Sequence, residues 1–284
     1  MSEWNEIDKN PATRAITVGS RLYQLHDTGA VFRFTGPALT GWEQLDRNPL
    51  TTAIAANDTD LYQMHETGAL FVLGPDAAPF TGWQAIDANP VTCAIAASAD
   101  RLYQRHQTGA IFRYTGTPFT GWELLDRNPA TVAIATGGHD LYQLHETGAI
   151  FRYTGTPLTG WELLDRNPAT VAIAAGANKF YQLHETGAIF HYTGTPLTGW
   201  EQLDRNPATV AIAATAGELY QLHDTGATFR YTGTPFTGWS TMGQTPTPTS
   251  DTWCTAIAAS HPPDLFVDIV FQLAGFGPIL QFHE

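Results

Sequence analysis

The sequence has few cysteines, no long hydrophobic run and no leader-like N-terminus. Two cysteines, Cys93 and Cys254, occur among 284 residues, too few for a disulfide framework. The longest apolar runs, such as residues 132–136, are far too short to span a bilayer. The start, Met1-Ser2-Glu3-Trp4, lacks the basic and apolar regions of a signal peptide. We therefore expect a soluble cytoplasmic protein without membrane insertion, and its release by a non-classical route stays open.

Basic residues are also scarce. The chain has 14 Lys and Arg against 27 Asp and Glu, a formal net charge of -13 at pH 7, and no basic run. Because affinity for phosphate backbones and anionic membranes depends on positive charge, we expect no nucleic-acid partner. Nucleophile elbows, phosphate loops and His-Glu-x-x-His motifs are missing as well. The prediction is a protein that is not an enzyme and that carries no cofactor or metal.

A repeat of about 39 residues organises the whole chain. Tryptophans recur at the same place in each copy, and the copies begin near residues 4, 42, 83, 122, 161, 200 and 239. Each copy holds four short strand-forming runs, which in the clearest copy are WELLD, TVAIA, LYQLH and AIFRY between residues 122 and 153. Turn sequences separate these runs, and no helical period is sustained. We expect one domain over residues 1–284.

Four antiparallel strands per copy are typical of a propeller blade. The sequence predicts an all-β, seven-bladed β-propeller of four-stranded antiparallel blades, and a two-sheet sandwich is the main competitor. The chain starts with a fourth-strand sequence, so we expect Trp4–Asp8 to complete the last blade, formed by residues 255–284. In that last copy, residues 243–251 replace the Asp-x-Asn-Pro turn and Ala274-Gly275 replaces His-Glu, which leaves at most six intact sites.

Comparison of the copies separates constant turns from variable ones. The HETG and DRNPAT turns are nearly invariant and are predicted on one rim of the ring. The turns between the TVAIA and LYQLH runs vary, and they are predicted on the opposite rim with TGTPLTG. Identical binding sites are expected on the constant rim. The alternative is that Gly, Pro, Asp and Asn are kept there because they form the turns.

Each repeated polar column has a structural and a functional interpretation. The histidines are too far apart around a ring to share a metal ion, and hydrogen bonds to turns are favoured for them. The Asp-x-Asn-Pro turn lacks the later ligands of a calcium loop, so its Asn and basic residue are either turn formers or sugar contacts. For the arginines of the AIFRY run and for the tryptophans, packing between blades and contact with a ligand are both open interpretations.

The recurring GWELLDxNPATVAIA and LYQLHxTGAIFRYTGTP units resemble the tectonin β-propeller lectins, and more distantly the tachylectin-2 type, over almost the whole chain. The resemblance implies repeated glycan sites near the blade junctions, with O-methylated sugars of bacterial or nematode surfaces as one target class. The predicted carbohydrate-binding residues are Trp42, Trp83, Trp122, Trp161, Trp200, Asn48, Asn89, Asn128, Asn167, Asn206, Arg47, Arg127, Arg166, Arg205, His65, His145, His184, His223, Arg113 and Arg152.

The predicted function is therefore a multivalent lectin in defence or recognition. Repetition of weak sugar sites around one ring would raise avidity on a dense glycan surface. The alternative is a scaffold for protein–protein interaction, because the fold alone does not exclude it. A glycoside hydrolase is disfavoured, since it needs two carboxylates at one asymmetric site, whereas the copies are nearly identical.

Overall fold

The computed structural model of the protein describes residues 3–215, 217–242, 254–260, 269–274 and 279–283, with side chains for residues 7–215 and 217–242. All the regular elements in these ranges are β-strands, 28 in number. They form four-stranded antiparallel sheets in which strands adjacent in sequence are neighbours. None of the elements described is a helix long and apolar enough to cross a membrane.

Six sheets are blades of four consecutive strands, which are numbered from the first strand to the fourth in chain order. Blade 1 contains β2 (Thr13–Val18), β3 (Leu22–His26), β4 (Val31–Phe34) and β5 (Trp42–Asp46). Blade 2 contains β6 (Thr51–Ala56), β7 (Leu61–His65), β8 (Ala69–Leu73) and β9 (Gln84–Ala88). Blade 3 contains β10 (Thr92–Ser98), β11 (Arg101–His106), β12 (Ile111–Tyr114) and β13 (Trp122–Asp126).

The other three blades follow the same plan. Blade 4 contains β14 (Thr131–Gly137), β15 (Asp140–His145), β16 (Ile150–Tyr153) and β17 (Trp161–Asp165). Blade 5 contains β18 (Thr170–Ala175), β19 (Phe180–His184), β20 (Ala188–Tyr192) and β21 (Trp200–Arg205). Blade 6 contains β22 (Thr209–Ala214), β23 (Leu219–His223), β24 (Thr228–Tyr231) and β25 (Trp239–Thr241).

A closing sheet is assembled from both ends of the chain. It contains β1 (Glu3–Asp8), β26 (Cys254–Ser260), β27 (Ile269–Ala274) and β28 (Ile279–His283), in the order β1-β28-β27-β26. Strand β1 pairs antiparallel with β28, with Trp4 opposite Phe282, as the matching ends of the sequence predict. Strand β26 lies beside both β22 of blade 6 and β2 of blade 1, so this sheet stands between the last blade and the first.

The predicted count of seven blades needs correction. Six blades are built from four consecutive strands, whereas the closing sheet combines one N-terminal strand with three C-terminal strands. Apart from Ile7 and Asp8, this sheet is described by its backbone alone. We therefore count six blades and keep the closing sheet separate. The 243–251 replacement and Gly275 lie outside the described residues, and so does the side chain of Trp4.

The blades are offset from the sequence repeat by one strand. The WELLD run that opens each repeat is the fourth strand of one blade, and the TVAIA run that follows is the first strand of the next. The first strands are neighbours in the ring, for example β14 beside β10 and β18, so they surround the centre and the fourth strands form the outer edges. Each repeat therefore ties two blades together covalently.

Apolar clusters between successive blades hold the ring together. At one boundary, Tyr103, Ile111 and Leu125 of blade 3 pack against Leu141 and Tyr153 of blade 4. The strand alternation explains this arrangement, because successive side chains point to opposite faces of a blade. Both faces are covered by a neighbour, so the second strands, such as β15, are buried along most of their length. The core of the protein is a set of inter-blade layers.

Candidate functional site

The tryptophan column lies at the boundaries between blades. Trp161 donates its indole Nε1–H to the carbonyl oxygen of Leu125 in the preceding blade, at 3.0 Å, and its ring packs on Tyr153 with centroids 5.2 Å apart. Equivalent bonds join Trp42 to Ile7, Trp83 to Leu45, Trp122 to Ile86, Trp200 to Leu164 and Trp239 to Leu203. The single hydrogen-bond donor of each indole therefore joins two blades instead of facing a ligand.

The same carbonyl oxygens accept a second hydrogen bond. The backbone N–H of Leu158, in the loop between β16 and β17, donates to the Leu125 oxygen at 2.8 Å. The loop thus reaches over the outer strand of the preceding blade. The loops of blades 1 to 6 make this bond to the outer strands of the closing sheet and of blades 1 to 5. Because an outer strand is an unpaired edge, this pair of bonds protects it. We call the two donors and their shared acceptor the edge clamp.

A buried polar network crosses each boundary near the first strand. Gln143 is 1% exposed and donates from Nε2 to Asp126 Oδ2 of the preceding blade at 2.9 Å. Its Oε1 accepts from the hydroxyl of Thr131 at 2.6 Å. Four further boundaries repeat this network, through Asp46, Thr51 and Gln63, through Asp87, Thr92 and Gln104, through Asp165, Thr170 and Gln182, and through Asp204, Thr209 and Gln221.

Sequence reasoning missed this network. The aspartates are predicted there as turn formers, and the Gln and Thr columns are not among the predicted site residues. The available signal was a glutamine between Tyr and Leu in the apolar LYQLH strand, since a buried amide must find partners. The network explains the constant Asp as a contact between blades.

The asparagines close turns. Asn128 Oδ1 accepts the backbone N–H of Ala130 at 3.0 Å, and Asn48, Asn89, Asn167 and Asn206 make the same two-residue bond. A Cβ on Gly148 of the HETG turn, where φ is +78°, would lie 2.0 Å from Asn167 O. The HETG and DRNPAT turns therefore meet on one rim, as predicted, and only glycine allows them to approach so closely.

The histidine column is buried beside these turns. His145 is 6% exposed, and its ring lies 4.5 Å from that of Phe151. The Nε2 atoms of His26, His65, His145 and His184 have no hydrogen-bond partner, whereas His106 and His223 approach Asn89 and Asn206 at 3.5 Å. Burial lowers the pKa of His145, and the carboxylates of Asp126 and Glu146 oppose that effect. His65, His184 and His223 behave alike.

These buried histidines predict acid destabilisation starting near neutral pH. Their pKa values in the folded state lie below the ordinary value of 6.5, so the unfolded chain binds more protons as the pH falls below that value. The contribution of these histidines to stability is fully present above pH about 6.5 and is lost progressively as the pH falls below that value. Thermal melts across this range should show a falling Tm and proton uptake on unfolding.

A Tm that stays constant or rises between about pH 6.5 and about 5 would contradict the assignment of neutral, buried imidazoles.

The arginines of the AIFRY run are already paired with carboxylates. Arg152 forms an ion pair with Glu162 on the adjacent strand, at 2.7 Å, and Arg113 forms one with Glu123. Burial raises the pKa of Tyr153 in the next blade. The charges of Arg113 and Glu123 have smaller effects, since Arg113 lowers this pKa and Glu123 raises it. The hydroxyls of Tyr153 and Tyr192 are buried without a partner. These arginines therefore lie at junctions that contain unsatisfied hydroxyl groups.

Arginines of the Asp-x-Asn-Pro turns remain accessible. Arg47, Arg127, Arg166 and Arg205 are exposed, and within the described part of the chain no carboxylate forms an ion pair with them. Arg166 and His145 line a cavity of about 590 Å³ on blade 4 with Thr147, Ala149, Phe151 and Leu163. This cavity brings two predicted residues together, but most of its lining is apolar.

Two other cavities lie on the variable side. One, of about 270 Å³, is formed by the first strands and variable turns of all six blades, including Gly19, Asn57, Ser98, Gly137, Gly176 and Thr215, and is the mouth of the central channel. The other, of about 370 Å³, lies between blades 5 and 6, where Lys179 and Tyr181 face Glu218, Arg230 and Tyr231. Over residues 7–215 and 217–242, no cluster of three or more potential ligands is able to hold a metal ion.

A further repeated feature is apolar and exposed. The residue before the final Thr-Gly of the loop between the third and fourth strands has φ between +63° and +67° and is 42 to 57% exposed. We call these six positions the outer-loop residues: Leu39, Phe80, Phe119, Leu158, Leu197 and Phe236. Their backbone N–H groups belong to the edge clamps, while much of each side chain faces solvent. Sequence reasoning treated this loop only as a turn.

Comparisons with known proteins show the fold class. No family model matches the chain, and no curated protein matches it either. Among solved structures, YCF48 bound to a D1 peptide is 15% identical with a TM-score of 0.69, covering 100% of this chain and 95% of that one. Yeast RCC1 (Prp20) bound to Kap60 is 11% identical with a TM-score of 0.66, covering 95% and 80%.

Human WBSCR16 is 9% identical with a TM-score of 0.63, covering 97% of this chain and 87% of that one. The protein is therefore a β-propeller of four-stranded antiparallel blades, similar in fold to propellers solved with protein or peptide partners. None of these comparisons supports membership of the tectonin or tachylectin-2 families.

Proposed function

We propose that the protein is a non-enzymatic scaffold that binds protein partners at several blades through its outer-loop residues. The observation that carries this proposal is the repeated exposure of Leu or Phe at a left-handed backbone position. In that conformation, a residue other than Gly, Asn or Asp destabilises the fold by about 1 to 2 kcal/mol. The backbone bond of the edge clamp needs no apolar side chain, so the repeated choice of Leu or Phe at this unfavourable position points to contact with a partner.

The state of the predicted sugar contacts supports the same choice. The tryptophan donors and the asparagine side chains make hydrogen bonds between blades and within turns, and the histidines are buried. Propellers of similar fold have been solved with a D1 peptide and with Kap60, which is a precedent for the class of partner and not a transfer of their partners. At so low an identity, function must be argued from the surface.

Replacement of all six outer-loop residues by Asn tests the proposal. Asn tolerates left-handed φ, so the variant should melt no lower than the wild type. Labelled wild-type protein should bind a subset of a peptide array, and the variant should lose at least about tenfold in affinity, since removal of an anchoring side chain costs more than about 1 kcal/mol. The matched control replaces Val132, Val171 and Val210, which are 45 to 54% exposed, by Thr and should bind normally. Equal binding by the Asn variant would refute the scaffold.

Glycan binding is a second candidate, supported by the cavity between blades 5 and 6. Its size of about 370 Å³ and its lining by Lys179, Tyr181, Glu218 and Tyr231 suit a monosaccharide held by hydrogen bonds and aromatic walls. O-methylated sugars of microbial or nematode surfaces are the class to test.

A glycan array distinguishes the two candidates. Under the lectin hypothesis, the wild type should bind a coherent set of sugars, and Glu218→Ala should abolish binding at the junction cavity. Val132→Thr, at an exposed position that does not line this cavity, is the control and should bind normally. Absence of glycan binding, with peptide binding retained, would reject the lectin and leave the scaffold.

A further inference from the structure

A cation accompanies several of the outer-loop residues. The guanidinium carbon of Arg47 in blade 1 lies 4.9 Å from the ring centroid of Phe80 in blade 2. The guanidinium carbon of Arg205 in blade 5 lies 5.3 Å from that of Phe236 in blade 6. These are cation–π distances. Each pair spans a junction between two successive blades.

The repeat places the same combination at two more junctions. Arg127 follows the outer strand of blade 3, and Leu158 belongs to the next blade across the junction. Arg166 follows the outer strand of blade 4, and Leu197 stands in the same relation to it. All four arginines are exposed. The protein has nearly twice as many acidic as basic residues, yet among the described side chains none of its carboxylates pairs with these arginines.

We propose that the outer-loop residues and these arginines together select a partner segment in which a carboxylate side chain adjoins an apolar side chain. This inference rests on the proposed scaffold function and names the chemistry of its partner. A guanidinium binds a carboxylate through two parallel hydrogen bonds, and the neighbouring Leu or Phe receives the apolar side chain. Charge complementarity therefore sets the choice of segment.

The surrounding charges exclude a polyanion. The HETG turns carry Glu66, Glu146 and Glu185 on the same rim as the arginines, and all three are exposed. A nucleic acid would meet these carboxylates along its whole backbone. A peptide that places single carboxylates beside apolar groups meets only the arginine at each junction.

One junction provides a natural comparison. Ala88, the last residue of the outer strand of blade 2, occupies the position of the arginine. Across this junction, Phe119 of blade 3 is the most exposed of the six at 57%. This junction holds the apolar element without the cation. Ala88→Arg should therefore add a charge-selective site on the surface of the folded protein.

The experiment uses two synthetic peptides that repeat Phe-Asp or Phe-Asn with Gly-Ser spacers, titrated by fluorescence anisotropy. The wild type should bind the Asp peptide at least about tenfold more tightly in about 50 mM salt, and the difference should shrink in about 300 mM salt as screening increases. Replacement of Arg47, Arg127, Arg166 and Arg205 by Gln should reduce Asp-peptide binding to the level of the Asn peptide. Ala88→Arg should strengthen it.

The outcomes separate this inference from the scaffold itself. Equal binding of both peptides by the wild type, with binding lost in the six-Asn variant, would overturn charge selection and leave the scaffold intact. Binding of both peptides that survives the six-Asn substitution, or no peptide binding at all, would overturn both. Equal, arginine-dependent binding of a single-stranded DNA probe would also overturn the inference.

Discussion

Deletion of residues 1–8 should destabilise the protein by more than about 5 kcal/mol, because a buried isoleucine alone contributes about 2 to 5 kcal/mol and each lost hydrogen bond adds about 1 kcal/mol. The deletion removes β1 and leaves β28 as an open edge. It also removes Ile7, which is 2% exposed and whose carbonyl oxygen accepts from Leu39 and Trp42. Denaturant titration with circular dichroism measures the loss, and size-exclusion chromatography detects association through the open edge.

The control for this deletion removes only residues 1–2, which precede β1, and should unfold like the full chain. Addition of a synthetic peptide covering residues 1–8 to the shortened protein should restore part of the stability. A shortened protein with unchanged unfolding free energy would show that β1 does not close the ring.

Gln143→Ala should cost about 2 to 4 kcal/mol, because it leaves the buried Thr131 hydroxyl and the half-buried Asp126 carboxylate without their shared partner. The substitution removes an amide that bonds to Asp126 at 2.9 Å and accepts from Thr131 at 2.6 Å. The loss acts between blades 3 and 4, so it should reduce the cooperativity of the ring as well as its stability. Chemical unfolding followed by tryptophan fluorescence measures both.

Gln44→Ala is the matched control for this substitution. Gln44 is half-buried and makes one long hydrogen bond within its own blade, to Asp46 O at 3.3 Å. Its removal should cost less than about 1 kcal/mol. Equal losses for Gln44→Ala and Gln143→Ala would show that the inter-blade network contributes nothing particular.

The sequence contained enough information for the class of fold. Repetition of the tryptophan and of four short strands predicts a propeller, and the matching ends predict the pairing of β1 with β28. The count of like blades required the structure, because the last copy has diverged and its sheet combines the two ends of the chain. The rim shared by the HETG and DRNPAT turns followed from strand alternation.

The candidate site was less accessible to sequence reasoning, for a physical reason. Trp161, Asn128 and His145 belong to residue types that bind sugars, but the Trp161 donor joins two blades, the Asn128 acceptor closes a turn and His145 is buried. A single sequence does not tell which of these partners a side chain meets. The outer-loop residues are not identified from the sequence, because an apolar residue such as Leu158 gives no sequence signal of a left-handed φ.

The edge clamps imply an order in which the outer strands are held in place during synthesis. The outer strands of the closing sheet and of blades 1 to 5 are each held by donors from the blade that follows in sequence. During synthesis, each of these clamps is therefore completed only after the next loop and tryptophan have emerged. The first clamp, from Leu39 and Trp42 to Ile7, needs only the first 42 residues of the chain. The donors that hold β1 are therefore close to it in sequence, whereas β28, the strand with which it pairs, is the last of the described strands.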